Sequence, residues 1–391
     1  MFRSALALTL VSTTACAQVP QGAPNASFEP AFENQTRAPA LDPTPIRIET
    51  LTQGLDHPWG IALLPDGSYL VTERTGQLRL MQADGTLSDP ISGLPTVDVR
   101  GQGGLLDVAV RDDFAETRRL WLTYAKQRFP RQTSTAAGTG ILSEDGTRIE
   151  DWQEIFVQDP PSAHAAHYGS RIVFEPGTDN IWITTGEHSD PEDRVKAQDI
   201  ETTYGKVIRV NGLTGEAPAD NPFVGRDGVD TIWSYGHRNM QGADVDAEGR
   251  LWTMEHGPLG GDELNRPEPG LNYGWPVISY GLNYNGTLVG SGESAREGME
   301  QPVYYWDPVI APGGIAFYDG DAFDWQGDLL ATGLAAQQRV GLTLEDGRVT
   351  GEERWDMPQR IRDVEVAPDG TILLLTDADA PDGGVLRISP E

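Results

Sequence analysis

The sequence predicts an all-β fold, a six-bladed β-propeller with four-stranded antiparallel blades, on three observations. Glycine (45) and proline (28) are abundant among the 391 residues, and strongly periodic helical stretches are hard to find, which together favour short strands joined by turns. One phrase recurs along the chain: GIALLPDGSYLVTER (60–74), SRIVFEPGTDNIWITTGE (170–187), GADVDAEGRLWTMEHG (242–257) and RDVEVAPDGTILLLTD (362–377). Two looser copies, at 104–126 and 313–334, lengthen the turn but keep both flanks, which makes six units.

Each unit reads as strand, turn, strand. Apolar residues alternate before the turn (Ile61 and Leu63, Ile172 and Phe174, Val364 and Val366) and run together after it, as a half-buried strand followed by an inner one requires. A supersecondary unit repeated with irregular insertions in an all-β chain indicates radial repetition, and propeller blades are the usual solution. A β-sandwich with coincidental turn motifs does not account for recurrence over the whole body. A strand near Ile46–Leu51 is expected to close the ring against the last blade.

Ahead of that body, residues 1–17 carry a basic Arg3, an apolar run and small residues near a cut after Ala15 or Ala17. This is the layout of a secretory signal peptide, too short to span a bilayer, so export to the periplasm is expected, with no integral membrane segment after processing. The sole cysteine, Cys16, lies at the junction. Lipidation there is the alternative, against which Thr13 stands three residues before it, where a lipoprotein signal usually has Leu. Residues 18–44, rich in Pro, Ala, Asn and Gln, lack an apolar period and are expected to form a flexible lead-in. That leaves 45–391 as the propeller domain.

Basic side chains number 29 and acidic ones 59, a net charge of −30, which argues against nucleic acid or an anionic membrane as partner. Basic clusters are therefore informative. Four segments at recurring places in the repeat, GQGG (101–104), AHYGSR (166–171), GHRNMQG (236–242) and QRIRD (359–363), pool Gln102, His167, Arg238, Asn239, Arg360 and Arg362. Propeller loops at one end of the channel converge, and guanidinium forks bind carboxylates bidentately, so the set suggests an anionic ligand. His167 is suited to remove a hydroxyl proton near neutral pH, although a lone histidine is more often structural. A metal site from His164 and His167 lacks a completing ligand pattern. The stretch EHGPLGGDE (255–263) joins a glycine-proline turn to Glu255, Asp262 and Glu263, the carbonyl and carboxylate oxygens that calcium uses, without EF-hand spacing.

From about residue 45 onward, HPWGIALLPDG, GQGGLLDVAV, HYGSRIVF, YGHRNMQG, EHGPLGGDELN, LNYGWP and QRIRDVEVAPDG occur in an order that resembles the soluble PQQ-dependent aldose sugar dehydrogenases, also called glucose/sorbosone dehydrogenases. The resemblance implies a six-bladed propeller that uses pyrroloquinoline quinone (PQQ) and calcium to oxidise aldoses at C1. His167 would be the general base. Gln102, Arg238 and Asn239 would hold quinone and substrate, Arg360 and Arg362 would grip PQQ carboxylates, and Asp377 would lie near that end of the cofactor. Gly257 and Pro258 would offer carbonyls to the calcium that also binds PQQ. Glu263 and the Tyr273 carbonyl resemble a second, structural calcium site.

The sequence also departs from the family. Ala166 replaces an acid before the base, His256 replaces Gln, Glu187 replaces Asp, and Ala335 stands where a cofactor-gripping lysine is usual. Arg339 is the candidate replacement for that lysine, and Trp306 a candidate for stacking on a sugar ring. The expected partners are aldose substrates and a quinone or other electron acceptor, in a monomer or homodimer. A calcium-dependent propeller lactonase and a binding propeller without catalysis are the competing readings; two guanidiniums for a tricarboxylate speak against the first.

Overall fold

The six repeated phrases are the inner strand pairs of six blades. In the computed structural model, which describes residues 14–15 and 19–391, the innermost strands are Pro58–Leu63, Leu105–Val110, Gly169–Phe174, Met240–Val245, Pro312–Phe317 and Ile361–Val366. Each pairs antiparallel with its successor, Tyr69–Glu73, Arg119–Arg128, Asn180–Thr185, Leu251–Glu255, Leu329–Gly333 and Ile372–Thr376. Neighbouring innermost strands pack on one another, and the sixth packs back on the first. The ring is thus closed. Of the predicted signal peptide only Thr14 and Ala15 are among the described residues, and Cys16 lies outside them; no helix among the described residues is long and apolar enough to cross a membrane.

Closure works as the sequence suggested. Strand Ile46–Leu55 adds to the last blade, antiparallel to Gly383–Pro390 from Ile46 opposite Pro390 to Leu55 opposite Gly383, and Thr14–Ala15 extends that sheet by a short fifth strand. Both chain ends therefore share one ladder, which removes the open edges an unclosed ring would leave. The first blade departs from four strands: it has Pro58–Leu63, Tyr69–Glu73 and Gln77–Met81 only. Residues 87–91 occupy its fourth position, with Ser88 and Ile91 N–H groups donating to Leu80 and Leu78 carbonyls, but Pro90 has no N–H and cannot extend a ladder.

The six largest apolar clusters each join two adjacent blades. This is why both faces of an inner strand must be apolar, and why the second strand of each phrase reads as an uninterrupted apolar run. Residues 19–44 hold no long strand and run along the outer strands of the fourth and fifth blades. Asn25 and Ala26 N–H groups donate to Asp307 (2.8 Å each), Gln35 Nε2 donates to the Pro302 carbonyl (3.0 Å) and Leu41 N–H to the Glu352 carbonyl (2.9 Å).

Every inner pair carries a register shift at the same level, between Pro58 and Ile61, Leu105 and Val108, Gly169 and Ile172, Met240 and Gly242, Pro312 and Ile315, and Ile361 and Asp363. Bulges of this kind re-aim side chains, and here they bring Asp107, Arg171 and Asp363 together across the channel. Arg171 Nη1 donates to Asp107 Oδ1 (2.9 Å) and Asp363 Oδ2 (2.9 Å), Nη2 to Asp363 Oδ1 (2.7 Å) and Nε to the Gln241 carbonyl (2.6 Å). The guanidinium also lies 4.4 Å from the centre of the Trp59 ring. Glycine makes the room: a Cβ on Gly314 would stand 1.9 Å from Asp363 Oδ1. The triad plugs the channel just downstream of the candidate site residues.

Candidate active site

The site is built at the ends of the inner hairpins, where the antiparallel register decides which side chains meet. In the third blade Gly169 lies opposite Thr185, and two residues further out the same register brings His167 beside Glu187. His167 Nδ1 is 3.0 Å from Glu187 Oε1, so an Nδ1 proton donated to the carboxylate leaves the Nε2 lone pair free. Backbone geometry holds the ring there: His167 has φ +46°, its N–H donates to Gln102 Oε1 at 2.8 Å, and a Cβ on Gly186 would stand 1.9 Å from the His167 carbonyl oxygen. A positive φ on a non-glycine residue is a strained state that surrounding structure must enforce. Burial and then the Arg238 charge lower the His167 pKa below 6.5, against the opposing pull of Glu187. The imidazole is therefore a neutral base near pH 7.

The fourth blade repeats the device. Met240 lies opposite Glu255, which carries Arg238 to the 256–258 turn, where its Nη1 donates to the His256 carbonyl (3.0 Å). Arg238 Nε is 4.0 Å from Glu187 Oε1, and the guanidinium stacks 5.1 Å from the Trp275 ring centre. Asn239, 2% exposed, accepts from the Gly169 N–H at 3.0 Å and so fixes the loop that follows His167. In the sixth blade Ile361 opposes Thr376, placing Arg360 against Asp377, Nε to Oδ2 3.1 Å. Arg362 points inward, with Nη2 3.4 Å from Asp377 Oδ1. Burial raises the Asp377 carboxyl, but the Arg362 and Arg360 charges outweigh it and hold the pKa below the usual range.

His256 and Gln241 connect the three blades, and the sequence reading gave neither a role. Gln241 Oε1 accepts from Arg362 Nη1 (2.7 Å) and faces His256 Nε2 (2.9 Å). Burial, and after it the neighbouring Arg238 charge, push the His256 pKa well below 6.5. Two buried donors of these arginines, Arg238 Nε and Arg362 Nε, have no hydrogen-bond partner among the described residues. Buried unpaired donors carry a desolvation cost, and an anionic ligand satisfies them.

Beside Arg238 a small cavity is lined by Glu255, Gly257, Pro258, Glu263 and Tyr273. The carbonyls of Gly257, Pro258 and Tyr273 accept no hydrogen bond from the described residues. Glu255 and Glu263 are direct cross-strand neighbours; burial and then the Glu255 charge raise the Glu263 pKa well above its usual value. Asn265 Nδ2 donates to both carboxylates (3.0 and 3.2 Å) while its buried Oδ1 has no partner among the described residues. Free carbonyls, two carboxylates and an orphan amide oxygen fit a hard, oxygen-loving cation.

Residues 55–387 match the Glucose / Sorbosone dehydrogenase family. The chain belongs to the glucose/sorbosone dehydrogenase family. It is 42% identical over 356 residues to aldose sugar dehydrogenase YliI of Escherichia coli K12, covering 89% of this chain and 94% of that protein. The crystal structure of the soluble E. coli aldose sugar dehydrogenase in its apo form superposes with a TM-score of 0.83 at 40% identity, covering 88% of this chain and all of that one. The PQQ-bound aldose sugar dehydrogenase of Streptomyces coelicolor superposes at 0.72 and 27% identity, covering 90% and 99%.

Within this family member, two sequence expectations fall outside the site. Arg339 does not replace the lysine absent at Ala335: it is buried between Trp325 and Trp355, 4.1 and 4.0 Å from their ring centres, because strand Gln338–Glu345 turns it toward the interface of the fifth and sixth blades. Burial lowers its pKa to about 9. Trp306 is 2% exposed with Nε1 donating to Glu352 (2.9 Å), so no face of its ring is open to a sugar. His164 turns outward to Asp190, Nε2 to Oδ2 3.2 Å, and forms no metal cluster with His167 among the described residues.

Proposed function

We propose that this sugar dehydrogenase oxidises aldoses at C1 to lactones with PQQ and calcium, His167 acting as general base. The observation that carries the reading is the His167–Glu187 contact, with Arg238 Nε 4.0 Å from the same carboxylate and Arg362 joined to the Arg238 turn through Gln241 and His256. When bound, PQQ supplies the quinone that accepts the hydride, and calcium polarises it as a Lewis acid.

The chain supplies orientation and proton handling. His167 Nε2 takes the anomeric hydroxyl proton; Glu187 holds the ring and stabilises the imidazolium that forms. Gln102 is exposed, with its Oε1 engaged by the His167 N–H, which leaves its amide N–H groups for ligand. Arg362 and Arg360, with Asp377 between them, and Arg238 would hold the cofactor carboxylates and carbonyls. Asn239 acts through the His167 loop. Gly257 and Pro258 would hold the cofactor-linked calcium, and Glu263 and Tyr273 the second ion, both around one cavity. The N-terminal sequence supports export to the periplasm, where a quinone or other acceptor would reoxidise the enzyme. Reconstitution with PQQ and calcium, followed by dye reduction across an aldose panel, tests the reading; no aldose-dependent reduction overturns it.

A further inference from the structure

A tricarboxylate cofactor approaching a protein of net charge −30 meets long-range repulsion. The mouth of the site is the exception. Its ion pairs are lopsided: the Arg100 side chain is 43% exposed while its partner Asp98 is 4%, and Arg360 is 46% exposed while Asp377 is 8%. Water and an incoming solute meet the cation and not the anion. Arg74, between these pairs, forms no ion pair among the described residues; Nη2 and Nε donate to the Gly101 and Gly103 carbonyls (2.6 and 3.3 Å), and its charge acts on Arg362 and Asp377. Arg100 Nη1 donates to the Arg131 carbonyl (3.2 Å), and Arg131 is exposed and forms no ion pair among the described residues. The run Arg360, Arg74, Arg100, Arg131 therefore borders the pocket beside Gln102. Next to Arg74, whose N–H donates to the His57 carbonyl, Asp56 and Asp379 face the His57 ring at 3.0 and 2.8 Å.

We infer that this arc of guanidiniums is a steering surface that captures the PQQ trianion and delivers it to the mouth. The inference rests on the PQQ reading above. A local positive field in a charged cleft raises association rates while leaving dissociation to the contacts made in the pocket.

The test uses full-length protein freed of cofactor, with calcium present, mixed rapidly with PQQ while the quinone absorbance is followed. Arg131 is the position to change, because its side chain holds nothing in place. At low salt the association rate should fall about two- to threefold in Arg131→Gln and about tenfold in Arg131→Glu, with the change in kon and not in koff. At about 1 M salt, where the screening length is about 3 Å, the variants should converge on the parent protein. Equal rates at low salt, or a deficit that persists at high salt, overturn the inference while leaving the cofactor assignment standing. If the parent protein takes up no PQQ at all, the proposed function falls and the inference with it.

Discussion

The carboxylate of Glu187 stands 3.0 Å from Nδ1 of His167 and 4.0 Å from Nε of Arg238, so one buried acid orients the base and faces the nearest cation. Removing the base itself should cost about 10²–10⁴ in kcat. His167→Ala should therefore be nearly inactive while still showing the absorbance of bound PQQ; full turnover would remove His167 from the mechanism. Glu187→Gln loses a charge-assisted hydrogen bond of about 1.5–3 kcal/mol, roughly 10- to 150-fold in kcat. An unchanged kcat in that variant would make Glu187 a packing residue.

The same pair sets the pH dependence. The His167 pKa lies below 6.5, and the base is the neutral form, so kcat/KM for an aldose should be level across neutrality and decline only on an acid limb below 6.5. Burial and Arg238 lower that pKa and Glu187 raises it. Glu187→Gln should then move the limb to still lower pH. A limb above 6.5, or one that moves upward in the variant, contradicts the assignment.

Arg360 and Arg362 are two residues apart yet unequal in environment, their side chains 46% and 7% exposed. A charged contact made in a buried pocket is worth about 1.5–3 kcal/mol, whereas an exposed, screened one is worth at most about 1 kcal/mol. PQQ titrations should show Arg362→Gln weakening binding by roughly 10- to 150-fold and Arg360→Gln by less than about fivefold. The reverse order would mean that the cofactor carboxylates lie at the rim.

What the sequence revealed and what it hid follow from one geometric fact. Inner strand pairs repeat with period two around a turn, so all six were legible, and His167, Arg238 and Arg360 stood out because they lie one or two residues ahead of those strands. Glu187 was visible only as a departure from a family pattern, since its meeting with His167 depends on the register of the hairpin, as does that of Arg360 with Asp377. Arg339 misled for the opposite reason: it is close to Ala335 in sequence, but strand direction takes it to the neighbouring blade interface. The plug of Asp107, Arg171 and Asp363 gave no local signal, because its members come from three blades and meet only when the ring closes.

That plug makes a stability prediction. Arg171→Met leaves Asp107 and Asp363 buried without their cation, and breaking a buried pair in this way costs about 3–5 kcal/mol. Urea denaturation should show a loss of that size, with Arg171→Met/Asp107→Asn/Asp363→Asn recovering most of it. Burial raises the Asp107 pKa to about 6 and the Asp363 pKa above its usual value, while Arg171 opposes both shifts. A carboxyl whose pKa is raised by folding is stabilised as pH falls through that value. Arg171→Met should therefore gain more stability than the parent on acidification from pH 8 toward 6; parallel curves would mean that the triad is not held as an ion cluster.

Glu255 and Glu263 place two carboxyl groups on adjacent strands beside one small cavity, an arrangement that repels itself unless a proton or a cation intervenes. In the metal-free protein, Glu263→Gln should consequently raise the melting temperature. Added calcium should reverse the ranking: binding to the folded state alone contributes about 2.7 kcal/mol at a hundredfold excess over Kd, and the parent should gain this while the variant, short of a ligand charge, gains less. Magnesium should stabilise more weakly, because it demands near-octahedral geometry at about 2.0–2.1 Å and dehydrates reluctantly, whereas this cavity offers backbone carbonyls and partly committed carboxylates. Thermal scans of both proteins in chelator, calcium and magnesium decide the matter: a variant that loses stability in chelator, or a parent indifferent to calcium, would show that the acidic pair is held by protons and hydrogen bonds alone.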